Sequence, residues 1–123
     1  MKRILVVDDQ SDIRKLVRLT LHKRYEVLEA SDAMEAYDSI HKNTPDCVIL
    51  DVMMPGEMNG YQLCRKLRLE YGVNSFPIIL LTARGHETER DHGMNAGADS
   101  YLVKPFSPLE LTRQIDLFLE RKP

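Results

Sequence analysis

Four apolar runs in this sequence each end at a polar residue suited to handling phosphate. Ile4-Leu5-Val6-Val7 runs into Asp8 and Asp9, and Cys47-Val48-Ile49-Leu50 runs into Asp51. Ile78-Ile79-Leu80-Leu81 ends at Thr82, and Tyr101-Leu102-Val103 ends at Lys104, followed by Pro105. If these runs are parallel strands of one sheet, their C-terminal ends share an edge, and carboxylates, a hydroxyl and an ammonium meet in one pocket. Two unit negative charges about 4 Å apart repel by roughly 4 kcal/mol at an effective dielectric near 20, so such a cluster needs an offset. Lys104 supplies one positive charge and a divalent cation supplies more. Magnesium suits the site, being a hard ion that takes oxygen ligands and keeps several waters. A carboxylate beside it can accept a phosphoryl group as an aspartyl-phosphate. The equatorial oxygens of the transferred group need donors, and the metal, the Lys104 ammonium and the Thr82 hydroxyl can each serve one.

The elements that must hold these residues alternate between short apolar strands and helical stretches, the pattern of βαβ units around a parallel sheet. Strands are expected over about 3–8, 25–30, 46–51, 76–82 and 99–104. The run over 25–30 is the least apolar and belongs at an edge. A first helix follows Ser11 and Asp12, with Ile13, Leu16, Val17, Thr20 and Leu21 on one face. A second starts near Asp32, with Glu35 at capping-box spacing, and buries Ala33, Ala36, Tyr37 and Ile40. A third carries Tyr61, Cys64 and Leu67 after a loop from Val52 to Gly60. A fourth, over about 86–96, has almost no apolar stripe and contains Gly93, so it is expected to be weakly held. The last opens with Ser107-Pro108-Leu109-Glu110, an N-cap, a first-turn proline and a capping glutamate, with Leu111, Ile115, Leu117, Phe118 and Leu119 as its apolar face. In doubly wound sheets ligands bind beyond the carboxyl ends of the strands, where strand order reverses; under the order 2-1-3-4-5, Asp8, Asp9 and Asp51 sit side by side.

Composition narrows the function. At 123 residues, 43% hydrophobic and 29% charged, the chain reads as one domain over 1–123. A net charge of −2 leaves no electrostatic footprint for direct nucleic-acid binding. No apolar stretch approaches the ~20 residues that cross a bilayer, and Lys2-Arg3 precede too short an apolar run for a signal peptide, so a cytoplasmic location without membrane contact is expected. Cys47 and Cys64 read as buried reduced thiols, and His22, His41, His86 and His92 as surface residues. An Asp-nucleophile phosphatase would call for an Asp-x-Asp pair, which Asp51-Val52-Met53 lacks. A nucleotide or flavin module would call for a glycine-rich first turn, where this chain has Asp8-Asp9-Gln10-Ser11.

The segments ILVVDDQ (4–10), CVILDVMMPG (47–56), IILLTA (78–83) and GADSYLVKPF (97–106) together closely resemble the receiver domains of two-component response regulators, and the resemblance covers essentially the whole chain. It implies a flavodoxin-like, doubly wound α/β fold, a five-stranded parallel sheet with five helices. It implies that Asp51 accepts phosphate from a histidine kinase or a phosphotransfer protein. Asp9 and Asp51 would bind Mg2+ directly, with Mn2+ as a substitute, Asp8 would assist, and the Met53 backbone carbonyl would be a further ligand. Lys104 would contact the phosphoryl group, Thr82 would move toward it, and Tyr101 would swing inward behind Thr82. The Lys104–Pro105 bond would be cis. The face formed by the 86–96 helix, the 99–104 strand and the last helix would carry the output to a downstream target or output domain, with a phosphorylation-dependent dimer compatible with it. The kinase would dock around the first helix. The chemistry would be self-phosphorylation and autodephosphorylation, without turnover of an external substrate; a degenerate receiver that binds without phosphorylation is the alternative. Met53 and Arg84 match positions that tune dephosphorylation. The loop Pro55-Gly56-Glu57-Met58-Asn59-Gly60 is one residue longer than the family's and has Asn59 for Asp, either a harmless bulge or a way for Glu57 to approach the magnesium.

Overall fold

Strands buried on both faces need side chains that are apolar at every position. The computed structural model, which describes residues 1–83, 92 and 94–120, places the three most continuous apolar runs at the centre of one sheet. Its strands are β1 (Arg3–Val7), β2 (Glu26–Ala30), β3 (Cys47–Asp51), β4 (Ile78–Thr82) and β5 (Ser100–Val103). All neighbours are parallel and the order is β2-β1-β3-β4-β5, as expected. β2, with glutamates at both Glu26 and Glu29, lies at the edge.

Four helices are present among the described residues: α1 (Ser11–Leu21), α2 (Ala33–Lys42), α3 (Gly60–Tyr71) and α4 (Pro108–Leu119). The helix expected over about 86–96 falls mostly outside the described residues, as do Arg84, His86 and Gly93. Strand alternation splits the core. Leu5, Val7, Val48, Leu50, Ile78 and Leu80 face α2 and α3, where Ala36, Ile40, Leu63 and Leu67 meet them. Ile4, Val6, Ile49, Ile79, Leu81 and Leu102 face α1 and α4, against Val17, Leu21, Leu111 and Ile115.

Local sequence explains most of the helix starts. Asp32 accepts from the Glu35 N–H at 2.8 Å, and Ser107 accepts from the Glu110 N–H at 3.1 Å with Pro108 opening the helix. Asn59 and Gln62 form a full capping box at the start of α3, which gives the Asn59 of the longer loop a structural task. α1 has no side-chain cap: Gln10 holds the cap position. Leu117, expected on the apolar face of α4, is 60% exposed; the buried row is Leu111, Ile115 and Leu119, and a residue two past Ile115 points to the far side of a helix.

At the N-terminal end of the sheet, buried Arg68 of α3 donates to the carbonyls of Gly97 and Phe76, both at 2.7 Å, and to Asp99 at 2.5 Å. Asp99 also accepts from the Ile78 N–H at 2.8 Å, so one guanidinium ties α3 to the entries of β4 and β5.

Candidate functional site

Register decides which polar residues meet. Val7 pairs with Leu50, so Asp8 follows directly on its strand and Asp51 on the next. Asp51 pairs with Leu81, and Thr82 pairs with Val103, so Thr82 and Lys104 each follow one step later on successive strands. The main chains of β4 and β5 stay joined past their ends, with the Lys104 N–H donating to the Thr82 carbonyl at 2.7 Å. The Lys104–Pro105 bond is cis.

The side chains converge as the register requires. Asp8 is fully buried, and the Lys104 ammonium donates to its Oδ2 at 2.8 Å. The same ammonium lies 3.4 Å from Asp51 Oδ1, and Asp51 is 4% exposed. The Met53 N–H donates to Asp51 Oδ1 at 3.4 Å, and the Gln10 N–H donates to Asp8 Oδ1 at 2.9 Å. Asp9 is exposed at the rim. One oxygen from each of Asp8, Asp9 and Asp51 lies within 4.8 Å of the others, and among the described residues this is the only such cluster of potential ligands. Asp9, Gln10, Asp51, Met53, Ala83 and Lys104 line a cleft of about 270 Å³. Thr82 is buried at the end of β4, and Tyr101 is half-buried against the apolar cluster that includes Leu80.

Electrostatics mark Asp51 as the strained member. Burial and then the Asp8 charge push its carboxyl up to about 6, against the opposing pull of Lys104 and the Met53 N–H. Burial alone would lower the Lys104 ammonium, but its hydrogen bond to Asp8 and the charges of Asp51 and Asp8 raise it overall. One ammonium thus serves two buried carboxylates. The donor set fits a magnesium-like ion: all oxygen, clustered, negative in excess and opening onto a cleft that Gln10 and Lys104 also line.

The β3–α3 loop is shaped by close approach. A Cβ built on Gly60 would lie 2.1 Å from the Asp51 carbonyl oxygen, so only glycine lets α3 start there. Met53 is 73% exposed beside the cleft, and Glu57 is exposed and outside the carboxylate cluster. Gly56 in this loop has a positive φ of 105°, a conformation that glycine adopts without a Cβ penalty. His22, His41 and His92 are exposed, and Cys47 and Cys64 are buried free thiols.

Three residues that strand-end patterning does not single out also act here: Gln10, Arg14 and Gly60. Gln10 receives the Lys104 ammonium on Oε1 at 3.3 Å, and Arg14 donates to the Asp8 carbonyl at 2.7 Å. Gly60 alone carried a sequence signal, as the glycine closing a loop before a helical stretch.

The model of the response regulator receiver domain family matches residues 4–116. The transcriptional regulatory protein SrrA of Staphylococcus aureus is 44% identical over 119 residues, which cover 96% of this chain and 48% of that protein. The chain therefore spans about half the length of the curated relatives it matches. The structure of the chemotaxis protein CheY4 of Vibrio cholerae superimposes with a TM-score of 0.89 at 35% identity, covering 97% of this chain and 99% of that one. A putative response regulator from Chloroflexus aurantiacus J-10-fl gives a TM-score of 0.90 at 39% identity, with 98% of each chain covered.

Proposed function

Since the chain belongs to the response regulator receiver domain family, we propose that Asp51 is its phosphoacceptor and that residues 1–123 form one such domain in a two-component phosphorelay. The observation that carries this reading is the placement of Asp51, buried at the cleft with its oxygen 3.4 Å from the Lys104 ammonium and clustered with Asp8 and Asp9.

A carboxylate oxygen of Asp51 attacks the phosphorus of a phosphohistidine on a histidine kinase or phosphotransfer protein. The new P–O bond forms as the P–N bond breaks, and the imidazole leaves with the electron pair and takes up a proton. Asp9, Asp51 and the Met53 carbonyl, with Asp8 behind them, would hold Mg2+, or Mn2+ in its place. The ion supplies positive charge for the phosphoryl oxygens. Lys104, already poised between two carboxylates, moves its ammonium onto a phosphoryl oxygen, and the Thr82 hydroxyl supplies a second donor. Tyr101 follows Thr82 inward. Water attack on the same phosphorus breaks the P–O bond to Asp51, frees its carboxylate and releases inorganic phosphate, so the chain works on itself and turns over no external substrate.

The phosphodonor is assigned to the α1 face, and the downstream target or output domain to β5, α4 and the 86–96 segment, the same face serving any phosphorylation-dependent dimer. No nucleic-acid contact is assigned to these residues, whose net charge is −2. No described helix is long and apolar enough to cross a membrane, and a cytoplasmic site of action is part of the proposal.

Intact mass after incubation with acetyl phosphate tests the assignment. The parent should gain one phosphoryl group only with Mg2+ present, and Asp51→Ala should gain none. An unmodified parent, or an equally modified variant, removes Asp51 as the acceptor.

A further inference from the structure

Asp8 is held on every side, and one of its partners has no part in the chemistry above. Arg14, near the start of α1, donates from Nη1 to the Asp8 main-chain carbonyl at 2.7 Å and from Nε to Glu29 Oε1 at 3.1 Å. Glu29 stands on the edge strand β2, and its other oxygen accepts from Arg18 Nε at 2.8 Å and Nη2 at 2.5 Å. Burial alone would raise the Glu29 carboxyl, but Arg18 and Arg14 together hold it below the usual range.

An exposed ion pair contributes little by itself, because solvent screens it and two long side chains must be ordered. Arg14 differs in two respects. Its side chain is only 18% exposed, and one arm of its fork ends on the main chain of the site. Asp8 is consequently paired at each polar group. Its N–H donates to the Ala30 carbonyl at 3.1 Å, its carbonyl takes Arg14, Oδ1 takes the Gln10 N–H and Oδ2 takes Lys104. Asp9, next in the chain, is exposed, and the peptide that joins it to Asp8 fixes where its Cα sits and hence the positions its short carboxylate can reach. That peptide's oxygen is the one Arg14 holds.

We propose that Arg14 is a positioning residue for the metal-binding pair: its guanidinium, anchored by Glu29, fixes the Asp8–Asp9 peptide and so holds the Asp9 backbone where its carboxylate can reach the cation. The inference rests on the reading of Asp8, Asp9 and Asp51 as a Mg2+ site. Charge and position act here with opposite signs. A positive Arg14 repels a nearby cation, which Glu29 partly offsets, so a role through charge alone would make its removal tighten Mg2+ binding. A positioning role makes removal weaken it.

Calorimetric titration of Mg2+ into the full chain separates the two. Arg14→Met and Arg14→Lys should both bind Mg2+ about tenfold more weakly than the parent, since a compact ammonium cannot span the carbonyl and Glu29 as the fork does. The Mg2+ midpoint for labelling by acetyl phosphate should shift by the same factor, with the parent's plateau rate recovered at high Mg2+. A merely structural role would lower the Tm and leave that midpoint in place. Unchanged or tighter Mg2+ binding in Arg14→Met overturns the proposal, and parent affinity in Arg14→Lys overturns the role of the fork. A parent that takes up no Mg2+ at all overturns the site reading itself, and the clamp with it.

Discussion

At neutral pH an ionised Asp51 faces the buried Asp8 with one ammonium between them, and its carboxyl is pushed up to about 6 by burial and by the Asp8 charge. The folded chain therefore keeps a proton on Asp51 over a range in which the unfolded chain has released it. Asp51's contribution to stability falls as pH rises from the ordinary aspartate value through 6, and above that window the ionised group destabilises the metal-free fold by about 2–3 kcal/mol. Asp51→Asn removes the charge and keeps the shape. In EDTA at pH 7.5 the variant should melt roughly 6–10 °C above the parent, and the gap should close as pH falls toward 4. Added Mg2+ should raise the parent's Tm and leave the variant's almost unmoved. A variant no more stable than the parent in EDTA would show that Lys104 neutralises the cluster without help. This scale was largely open to sequence reading, because Asp8, Asp9, Asp51, Thr82 and Lys104 announce themselves as polar residues ending apolar runs. Gln10 and Arg14 did not, because neither ends an apolar run and each works partly through the backbone: Gln10 donates its N–H to Asp8 besides receiving Lys104 on Oε1, and Arg14 grips a backbone carbonyl.

Among the elements, the β3–α3 connection sets the site most tightly. Gly60 starts α3 against the backbone of Asp51 and Val52, its N–H donating to the Val52 carbonyl at 3.1 Å. A methyl group there would fall 2.1 Å from the Asp51 carbonyl oxygen, with Val52 Cα 2.7 Å away, and neither atom belongs to a side chain that can turn aside. Gly60→Ala must therefore displace either the end of β3 or the first turn of α3. A loss of about 2–4 kcal/mol in urea unfolding is expected, together with slower acetyl phosphate labelling of the folded fraction. Parent-like stability would mean that the loop relaxes through its longer stretch at Gly56 and Glu57. Element types and order were legible from alternation and caps, and ends were less so. Tyr25, expected inside the edge strand, instead precedes β2 and directs its hydroxyl to Asp116 of α4 at 2.9 Å, a tertiary bond with no local signal. The Arg68–Asp99 tie likewise joins residues 31 apart in the chain, beyond any periodicity.

Across the whole molecule, the parallel order β2-β1-β3-β4-β5 does two jobs with one edge. It gathers the carboxylates of β1 and β3 at the reversal of strand order, and it sets Thr82 and Lys104 on the strands that lead outward to β5 and α4. A group added at Asp51 then has a short physical route to the far side: Thr82 ends β4, its carbonyl is bonded to the Lys104 N–H, and Tyr101 lies on the adjoining strand with its own carbonyl bonded to Gln114 of α4 at 3.1 Å. Phosphorylation adds charge and acceptor oxygens, and it can bias such a chain only if the phosphoryl state and the far face share a two-state element. Beryllofluoride with Mg2+, as a phosphoryl mimic, should change amide exchange in β5, the start of α4 and the 86–96 segment, while β2 and α2 keep the parent's protection. Thr82→Ala should still take the mimic, since Asp51 and Lys104 remain, yet lose most of the exchange change at β5 and α4. Retention of the full change in Thr82→Ala would remove Thr82 from the route and leave Lys104, which already touches both the cluster and β5, as the carrier. No change in the parent, with the mimic shown to be bound by its rise in Tm, would place the output somewhere other than this face.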